Sequence, residues 1–179
     1  MVNKRVDKMV WKSERFQVVR REMELVDGSP FARDVILHPG AVAILPVFPD
    51  GTICLIRNYR ISIEQTLIEL PAGTLETGET PDHCAHRELL EETGYEADSM
   101  KLLCSFYMSP GILNEKMYLY LATGLTEGQP QREPGEMIEN VIVSSDVVRQ
   151  MIRKGEIQDA KSLAGLLYYQ SLADSRSGF

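Results

Sequence analysis

Alternating apolar and polar positions over the first 70 residues predict a series of β-strands. Asp27-Gly28 interrupts the pattern once and favours a β-hairpin around it. Pro49-Asp50-Gly51 marks a second turn, and Pro71 ends the last strand of the series. The pattern therefore predicts strands at 16–25, 31–37, 41–47, 52–58 and 66–70.

The apolar spacing becomes helical after residue 80. Thr80 suits the N-cap of this helix, Pro81 its first position, and Gly94 the residue that ends it. Strands and helices then alternate irregularly, which predicts the α+β class, with a mixed sheet between helices. The remaining elements are expected as strands at 100–108, 116–123 and 139–143 and helices at 145–154 and 159–172.

Composition narrows the classes of function. The chain has 179 residues, which fits one domain with its own core. It carries 19 Lys and Arg against 26 Asp and Glu, a net charge of −7. Without a long basic run, a nucleic acid polymer is not an expected partner. No segment approaches the roughly 20 apolar residues of a membrane span. The three cysteines form no zinc pattern and are expected as reduced thiols. We therefore expect a cytoplasmic protein.

The stretch 73–95 crowds acidic side chains onto one helix. Glu88, Glu91 and Glu92 are three and four residues apart, so their carboxylates converge on one helix edge and repel each other. Such an edge is either a solvated acidic face or a site for a cation. The preceding loop, 71–79, can direct backbone carbonyls toward the carboxylates. Oxygen ligands without His or Cys suit Mg²⁺ or Mn²⁺.

Within this stretch Gly73 and Glu79 are followed by Arg87-Glu88-Leu89, by Glu91-Glu92 and by Gly94. This spacing resembles the Nudix box, GX5EX7REUXEEXGU, in which U is a bulky apolar residue. Tyr95 stands at the final U position, a mild departure. The resemblance implies the Nudix fold, a mixed β-sheet sandwiched between helices, here with an N-terminal β-hairpin extension. It also implies a metal-dependent hydrolase of nucleoside diphosphates linked to another group.

The resemblance further assigns roles to residues of the box. Glu88 and Glu92 would be the main metal ligands, with the carbonyl of Ala72 completing the metal sphere. Glu91 would lie near the metals and take part in catalysis. Arg87 would count among the catalytic residues, mainly as a structural partner of Glu79 or Glu91.

Segments outside the box are similar to ADP-ribose and ADP-sugar pyrophosphatases, notably 38–47, 57–60, 69–79, 107–125 and 155–168. By this likeness Arg60 would contact the diphosphate, and Glu115 would bind near substrate or metal. The proton-accepting glutamate of this branch comes from a loop after the sheet. Glu136 aligns best with it, with Glu133 and Glu139 as rivals.

The resemblance thus predicts Mg²⁺- or Mn²⁺-dependent cleavage of ADP-ribose, or a related nucleoside diphosphate sugar, to a nucleoside monophosphate and a sugar phosphate. A hydrolase of GDP-mannose or of another nucleoside diphosphate sugar is the first alternative. A nucleotide-binding domain without activity is the second, although all four box glutamates are present. Residues 1–38 are expected to form a strand extension that builds a homodimer, and residues 39–179 the Nudix domain.

Overall fold

The computed structural model describes residues 5–13, 16–132 and 137–174, and the side chains up to residue 172. Within these ranges no helix is long and apolar enough to cross a membrane. The described elements mix strands and helices, which confirms the predicted α+β class. They are β1 (Arg5–Lys12), β2 (Gln17–Glu24), β3 (Pro30–Leu37), β4 (Ala41–Pro46), β5 (Thr52–Arg60), β6 (Gln65–Glu69), β7 (Ala72–Thr74), α1 (Pro81–Thr93), β8 (Tyr95–Tyr107), β9 (Lys116–Glu127), β10 (Ile138–Ser144), α2 (Ser145–Arg153) and α3 (Ala160–Asp174).

One compact unit comprises Met1–Gly40 and Phe106–Lys116. Its sheet is antiparallel in the order β1-β2-β3. The predicted hairpin is present as β2 and β3, and Gly28 at its turn has a φ of 81° that favours glycine. The sequence pattern missed β1. All eight of its residues are exposed, so burial imposes no alternation on them.

The other unit comprises Ala41–Ser105 and Met117–Phe179 and contains two sheets. One is antiparallel in the order β10-β5-β6, and the other is mixed in the order β7-β4-β9-β8. In the mixed sheet β4 runs parallel to β9 and antiparallel to β7. All six residues of β4 are buried, as expected for a strand that is covered on both faces.

Helices α1 and α3 cover the two faces of this mixed sheet. Leu89 of α1 belongs to one buried cluster with Tyr120 of β9. Gly165 of α3 approaches Leu119 so closely that a Cβ would lie 2.9 Å from its methyl carbon. Because successive strand residues point to opposite faces, Leu119 and Tyr120 mark opposite sides of the sheet. The mixed sheet therefore lies between the two helices, as the sequence predicted.

Several element ends differ from the predicted ones. Strand β8 begins at Tyr95, immediately after the helix, and β9 continues to Glu127. Strand β7 falls inside the predicted loop 71–79. With only three residues, two of them Ala and Gly, β7 has no apolar pattern from which it could be predicted.

Candidate active site

Helix α1 places the acidic residues because both of its ends and one of its faces are fixed. Thr80 Oγ1 accepts a hydrogen bond from His83 N at 3.3 Å, and Gly94 ends the helix with a φ of 79°. Both ends thus follow the expected capping pattern. The helix face that enters the core consists of Cys84, Ala85 and Leu89. The acidic residues occupy the remaining edge.

Arg87 connects three carboxylates around one guanidinium group. Its Nε and Nη2 donate to the two oxygens of Glu79, each at 2.9 Å. Its Nη1 donates to Glu88 Oε1 at 2.7 Å and to Glu91 Oε2 at 2.9 Å. The predicted partners Glu79 and Glu91 are therefore both present. The two parallel bonds to Glu79 fix the plane of the guanidinium group, which a lysine cannot do.

The protonation of this cluster is governed by the same contacts. Hydrogen bonds from Arg87 hold the pKa of Glu79 far below its usual value of 4.5, against the opposing effect of burial. Smaller contributions come from Glu76 N and His83. Conversely, the hydrogen bond to Glu79 raises the pKa of Arg87. Glu79 is thus a permanent anion in the folded protein at neutral pH.

Gly73, the first residue of the motif, leaves room for the carboxylate of Glu88. A Cβ built on Gly73 would overlap Cδ and both oxygens of Glu88. Any larger residue at position 73 would therefore displace the Glu88 carboxylate from β7. The glycine is required here by a close approach rather than by its backbone angles.

Glu92 of α1 is a buried carboxylate that lies against the start of β7. The residue is only 3% exposed, and its Oε2 accepts a hydrogen bond from Ala72 N at 2.8 Å. Strand β7 is in turn held by β4, where Ala72 pairs with Ala43. Glu88 and Glu92 therefore both lie against β7, one over Gly73 and one on Ala72.

The C-terminal end of α1 is capped by side chains from distant parts of the chain. Arg132 Nε donates to Glu92 O at 3.1 Å, and Asn140 Nδ2 donates to Thr93 O at 2.7 Å. Asn140 Oδ1 is buried and has no hydrogen-bond partner among the described residues. Arg132 and Asn140 are thus both held at this helix end.

Only one of the three candidates for the base lies among the described residues. Glu133 and Glu136 lie outside the described residues. Glu139 lies in β10, where its carboxylate pairs with Arg57 across the sheet at 3.1 Å. Its side chain is 69% exposed. Glu139 therefore already has a cationic partner on the neighbouring strand.

Arg60 at the end of β5 is held by a residue that the sequence analysis did not single out. Its Nε and Nη2 donate to the two oxygens of Glu69 at 2.8 and 2.5 Å. The Glu69 side chain is 1% exposed and that of Arg60 is 37% exposed. The only sequence signal for Glu69 was a carboxylate inside the apolar run 66–70, where a buried charge requires a partner.

A second cation reaches the same carboxylate from the start of α3. Lys161 Nζ donates to Glu69 Oε2 and, at 2.9 Å, to Asp159 Oδ2. Asp159 also caps α3 by accepting from Ser162 N and Ser162 Oγ at 3.0 and 2.6 Å. Burial raises the pKa of Asp159, but Lys161 and Ser162 lower it by more, so the carboxyl stays ionised.

Glu115 belongs to the unit that contains the N-terminal strands. Its Oε1 lies 3.7 Å from His38 Nδ1. The backbone of His38 is held by Asn114, because His38 N donates to Asn114 Oδ1 at 2.7 Å. His38, the partner of Glu115, therefore belongs to the same unit.

The available donors fit a hard divalent cation. No group of three His, Cys, Asp or Glu side chains in the described ranges is arranged to hold a metal ion. Mg²⁺, however, is usually held by one or two carboxylates, with water and substrate phosphates as the other ligands. Glu88, Glu92 and the carbonyl of Ala72 supply oxygen donors of that kind.

This chain belongs to the Nudix family, because the family model described as the NUDIX domain matches residues 37–166. The predicted family is thereby confirmed, and the conclusion agrees with the mixed sheet between α1 and α3. Nudix hydrolases generally use divalent metal ions.

Relatives of known name extend over most of the chain. An ADP-ribose pyrophosphatase of Bacillus subtilis is 37% identical over 151 residues, 83% of this chain and 82% of its own length. A methanol dehydrogenase activator of Bacillus methanolicus is equally identical over the same shares of both chains. A GDP-mannose pyrophosphatase of Yersinia enterocolitica is 34% identical over 140 residues, 73% of each chain.

A solved structure supports the fold independently. The crystal structure of an ADP compounds hydrolase superposes with a TM-score of 0.82 and covers 98% of this chain and 97% of its own. Its sequence identity is 20%, so this likeness shows the fold alone.

The pair formed by Glu79 and Arg87 predicts a pH-dependent stability. Because folding lowers the pKa of Glu79, its contribution is fully present above the usual value of 4.5 and is lost as the pH falls. At pH 7 the variant Glu79→Gln should lose about 1–3 kcal/mol in the free energy of unfolding, the cost of an unpaired buried group. Urea denaturation in metal-free buffer at several pH values measures this. A loss that is as large at about pH 3 as at pH 7 would contradict the assignment.

Proposed function

We propose that this chain hydrolyses the diphosphate bond of ADP-ribose, or of a related nucleoside diphosphate sugar, with the aid of a divalent cation. The observation that carries the proposal is the placement of Glu88 and Glu92 against β7 on one edge of α1. From ADP-ribose the products would be AMP and ribose 5-phosphate. The similarity to a named ADP-ribose pyrophosphatase over 83% of the chain supports this substrate.

In this proposal Glu88, Glu92 and the carbonyl of Ala72 hold Mg²⁺ or Mn²⁺. A divalent cation at such a site neutralises diphosphate charge and makes a bound water more acidic. Glu91 lies beside these ligands through its hydrogen bond to Arg87. Arg87 orients Glu88 and Glu91 and thereby serves catalysis.

Arg60 and Glu115 are proposed to bind substrate. A guanidinium group suits the oxygens of a diphosphate and stabilises the charge that develops on them. The hydrogen bonds to Glu69 raise the pKa of Arg60, and the negative charge of Glu92, a proposed metal ligand, adds a smaller increase.

A glutamate that follows β9 is proposed to deprotonate the attacking water, with Glu136 as the first candidate. Glu133 and Glu139 remain the rivals. The ion pair of Glu139 with Arg57 favours a different residue, because the Glu139 carboxylate already has a partner on the neighbouring strand.

A second candidate function is hydrolysis of GDP-mannose. It uses the same diphosphate chemistry and differs in the pockets for base and sugar. The relative named GDP-mannose pyrophosphatase supports this alternative at 34% identity. A nucleotide-binding domain without activity is less compatible with the four glutamates of the motif, all of which are present.

We further propose a cytoplasmic homodimer built through the N-terminal strands. Strand β1 exposes apolar side chains, namely Val6, Met9, Val10 and Trp11, which are between 47% and 59% exposed. A row of exposed apolar side chains on one strand is typical of an interaction surface.

The metal assignment predicts the behaviour of Glu92→Gln. The variant removes a proposed metal ligand, so kcat should fall by about 100-fold or more. Each tenfold loss of rate corresponds to about 1.4 kcal/mol of lost transition-state stabilisation. Turnover of ADP-ribose, GDP-mannose and other nucleoside diphosphate compounds with Mg²⁺, with products identified, measures this and selects the substrate. Glu96→Gln, at an exposed position after the same helix, is the control. Full activity of a folded Glu92→Gln protein would contradict the assignment.

The base assignment predicts a ranking among three variants. Glu136→Gln should lower kcat by about 100-fold or more, whereas Glu133→Gln and Glu139→Gln should keep most of the activity. The acidic limb of the pH profile of kcat should also disappear in the variant that lacks the base. If Glu139→Gln alone shows the large loss, the base lies on β10 instead.

The dimer predicts a solution mass of about twice the 20.2 kDa of one chain. Sedimentation equilibrium measures it. The double variant Val10→Lys, Trp11→Lys should shift the mass toward that of one chain, because it places charge on an apolar interface. Leu102→Lys, at a 48% exposed position outside the N-terminal strands, should leave the mass unchanged. A wild-type mass of one chain would refute the dimer.

A further inference from the structure

Segment 155–168 resembles related enzymes in sequence, yet no role follows for it from the motif or from the metal ligands. The structure brings its charged residues to the strand end that carries Arg60. Lys161 is 7% exposed and Ser162 is fully buried. A buried lysine is rare unless it is paired, so its two carboxylate partners need an explanation.

The four charged groups form a line of alternating sign. Arg60 pairs with Glu69, Glu69 with Lys161, and Lys161 with Asp159. The side chain of Arg60 is 37% exposed, whereas the side chains of Glu69, Lys161 and Asp159 are 1%, 9% and 16% exposed. Only the guanidinium end of the line reaches solvent substantially.

This arrangement leaves one side of Arg60 available. Its Nε and Nη2 are occupied by Glu69, and no described residue accepts a hydrogen bond from Nη1. A guanidinium group held on one edge presents its remaining N–H groups in a fixed direction. The direction depends on the position of Glu69, and Glu69 is held in turn by Lys161.

The backbone next to Glu69 leads directly to the proposed metal ligands. Leu70 N donates to Ser162 Oγ at 2.7 Å, Ile44 N donates to Pro71 O at 2.8 Å, and Ala72 N donates to Glu92. The start of α3 thus fixes both the side chain of Glu69 and the backbone that follows it. A displacement here would move Arg60 relative to Glu88 and Glu92.

We propose that Lys161 is a positioning residue for Arg60: by sharing the carboxylate of Glu69, it fixes the guanidinium at the place where substrate diphosphate binds. This proposal rests on the proposed diphosphate chemistry of the site. Lys161 itself does not touch the substrate. Its role is distinct from a purely structural ion pair, because it is transmitted through Arg60 alone.

The test is a double-mutant cycle of Lys161→Met and Arg60→Gln, with Lys101→Met as the control at an exposed lysine of β8. Methionine keeps the length of the side chain and leaves Glu69 paired with Arg60. In the wild-type background Lys161→Met should lower kcat/KM by roughly 10- to 100-fold, the scale of a misplaced catalytic group. In the Arg60→Gln background it should lower kcat/KM by less than about twofold, because the group that it positions is absent.

Two outcomes would overturn the proposal. One is an equal loss from Lys161→Met in both backgrounds, which indicates a structural role. The other is unchanged kcat/KM in a protein that still folds. Thermal unfolding reports the folded fraction, and Lys161→Gln replaces Lys161→Met if the methionine variant does not fold.

A separate measurement distinguishes this proposal from the proposed function. If the wild type turns over none of the nucleoside diphosphate compounds, calorimetric binding of ADP with Mg²⁺ takes the place of kcat/KM in the same cycle. Weaker binding by Lys161→Met only when Arg60 is present supports the positioning role. Equal weakening in both backgrounds, or no binding by the wild type, overturns it.

Discussion

The candidate site depends on the interaction of one guanidinium group with three carboxylates. Glu79, Glu88 and Glu91 all accept from Arg87, so three negative charges against one positive charge leave two in excess. Arg87 makes this edge of α1 compatible with folding without neutralising it. The remaining negative charge, together with the buried carboxylate of Glu92, is what a divalent cation would compensate.

The interactions within the motif were accessible from the sequence because they are local. The capping residues Thr80 and Gly94, and the pairing of Arg87 with Glu91 one turn later, follow from helix geometry. The approach of Glu88 to Gly73 joins two residues that are farther apart in the sequence, and the motif indicates only that a glycine is required at position 73. Its physical reason, a carboxylate in the space of a Cβ, needs the packing of α1 against β7.

The environment of Arg60 could not be predicted in the same way. Glu69 and Lys161 are 92 residues apart, and nothing in either segment specifies the other. The pattern of apolar positions assigned Glu69 to a strand and Lys161 to a helix, both correctly. It carries no information on which charged side chains meet between them, since that depends on how α3 packs on the sheet. The N-terminal strand β1 was missed for another reason, because a fully exposed strand has no burial pattern.

The group formed by Arg60, Glu69, Lys161 and Asp159 is largely buried, and such groups rarely contribute much net stability, because desolvation offsets the attraction between the charges. Its main effect in this structure is to fix the orientation of the Arg60 guanidinium group. Arg60 bonds both oxygens of Glu69 and Lys161 bonds one of them, so a movement of Arg60 would break two hydrogen bonds of a buried carboxylate. The segment from Glu69 to Ala72 joins this group to Glu92 through three residues of backbone. The proposed metal ligands and the proposed phosphate-binding arginine are thus joined by one short stretch of chain, and the features that would distinguish one sugar nucleotide from another lie outside it.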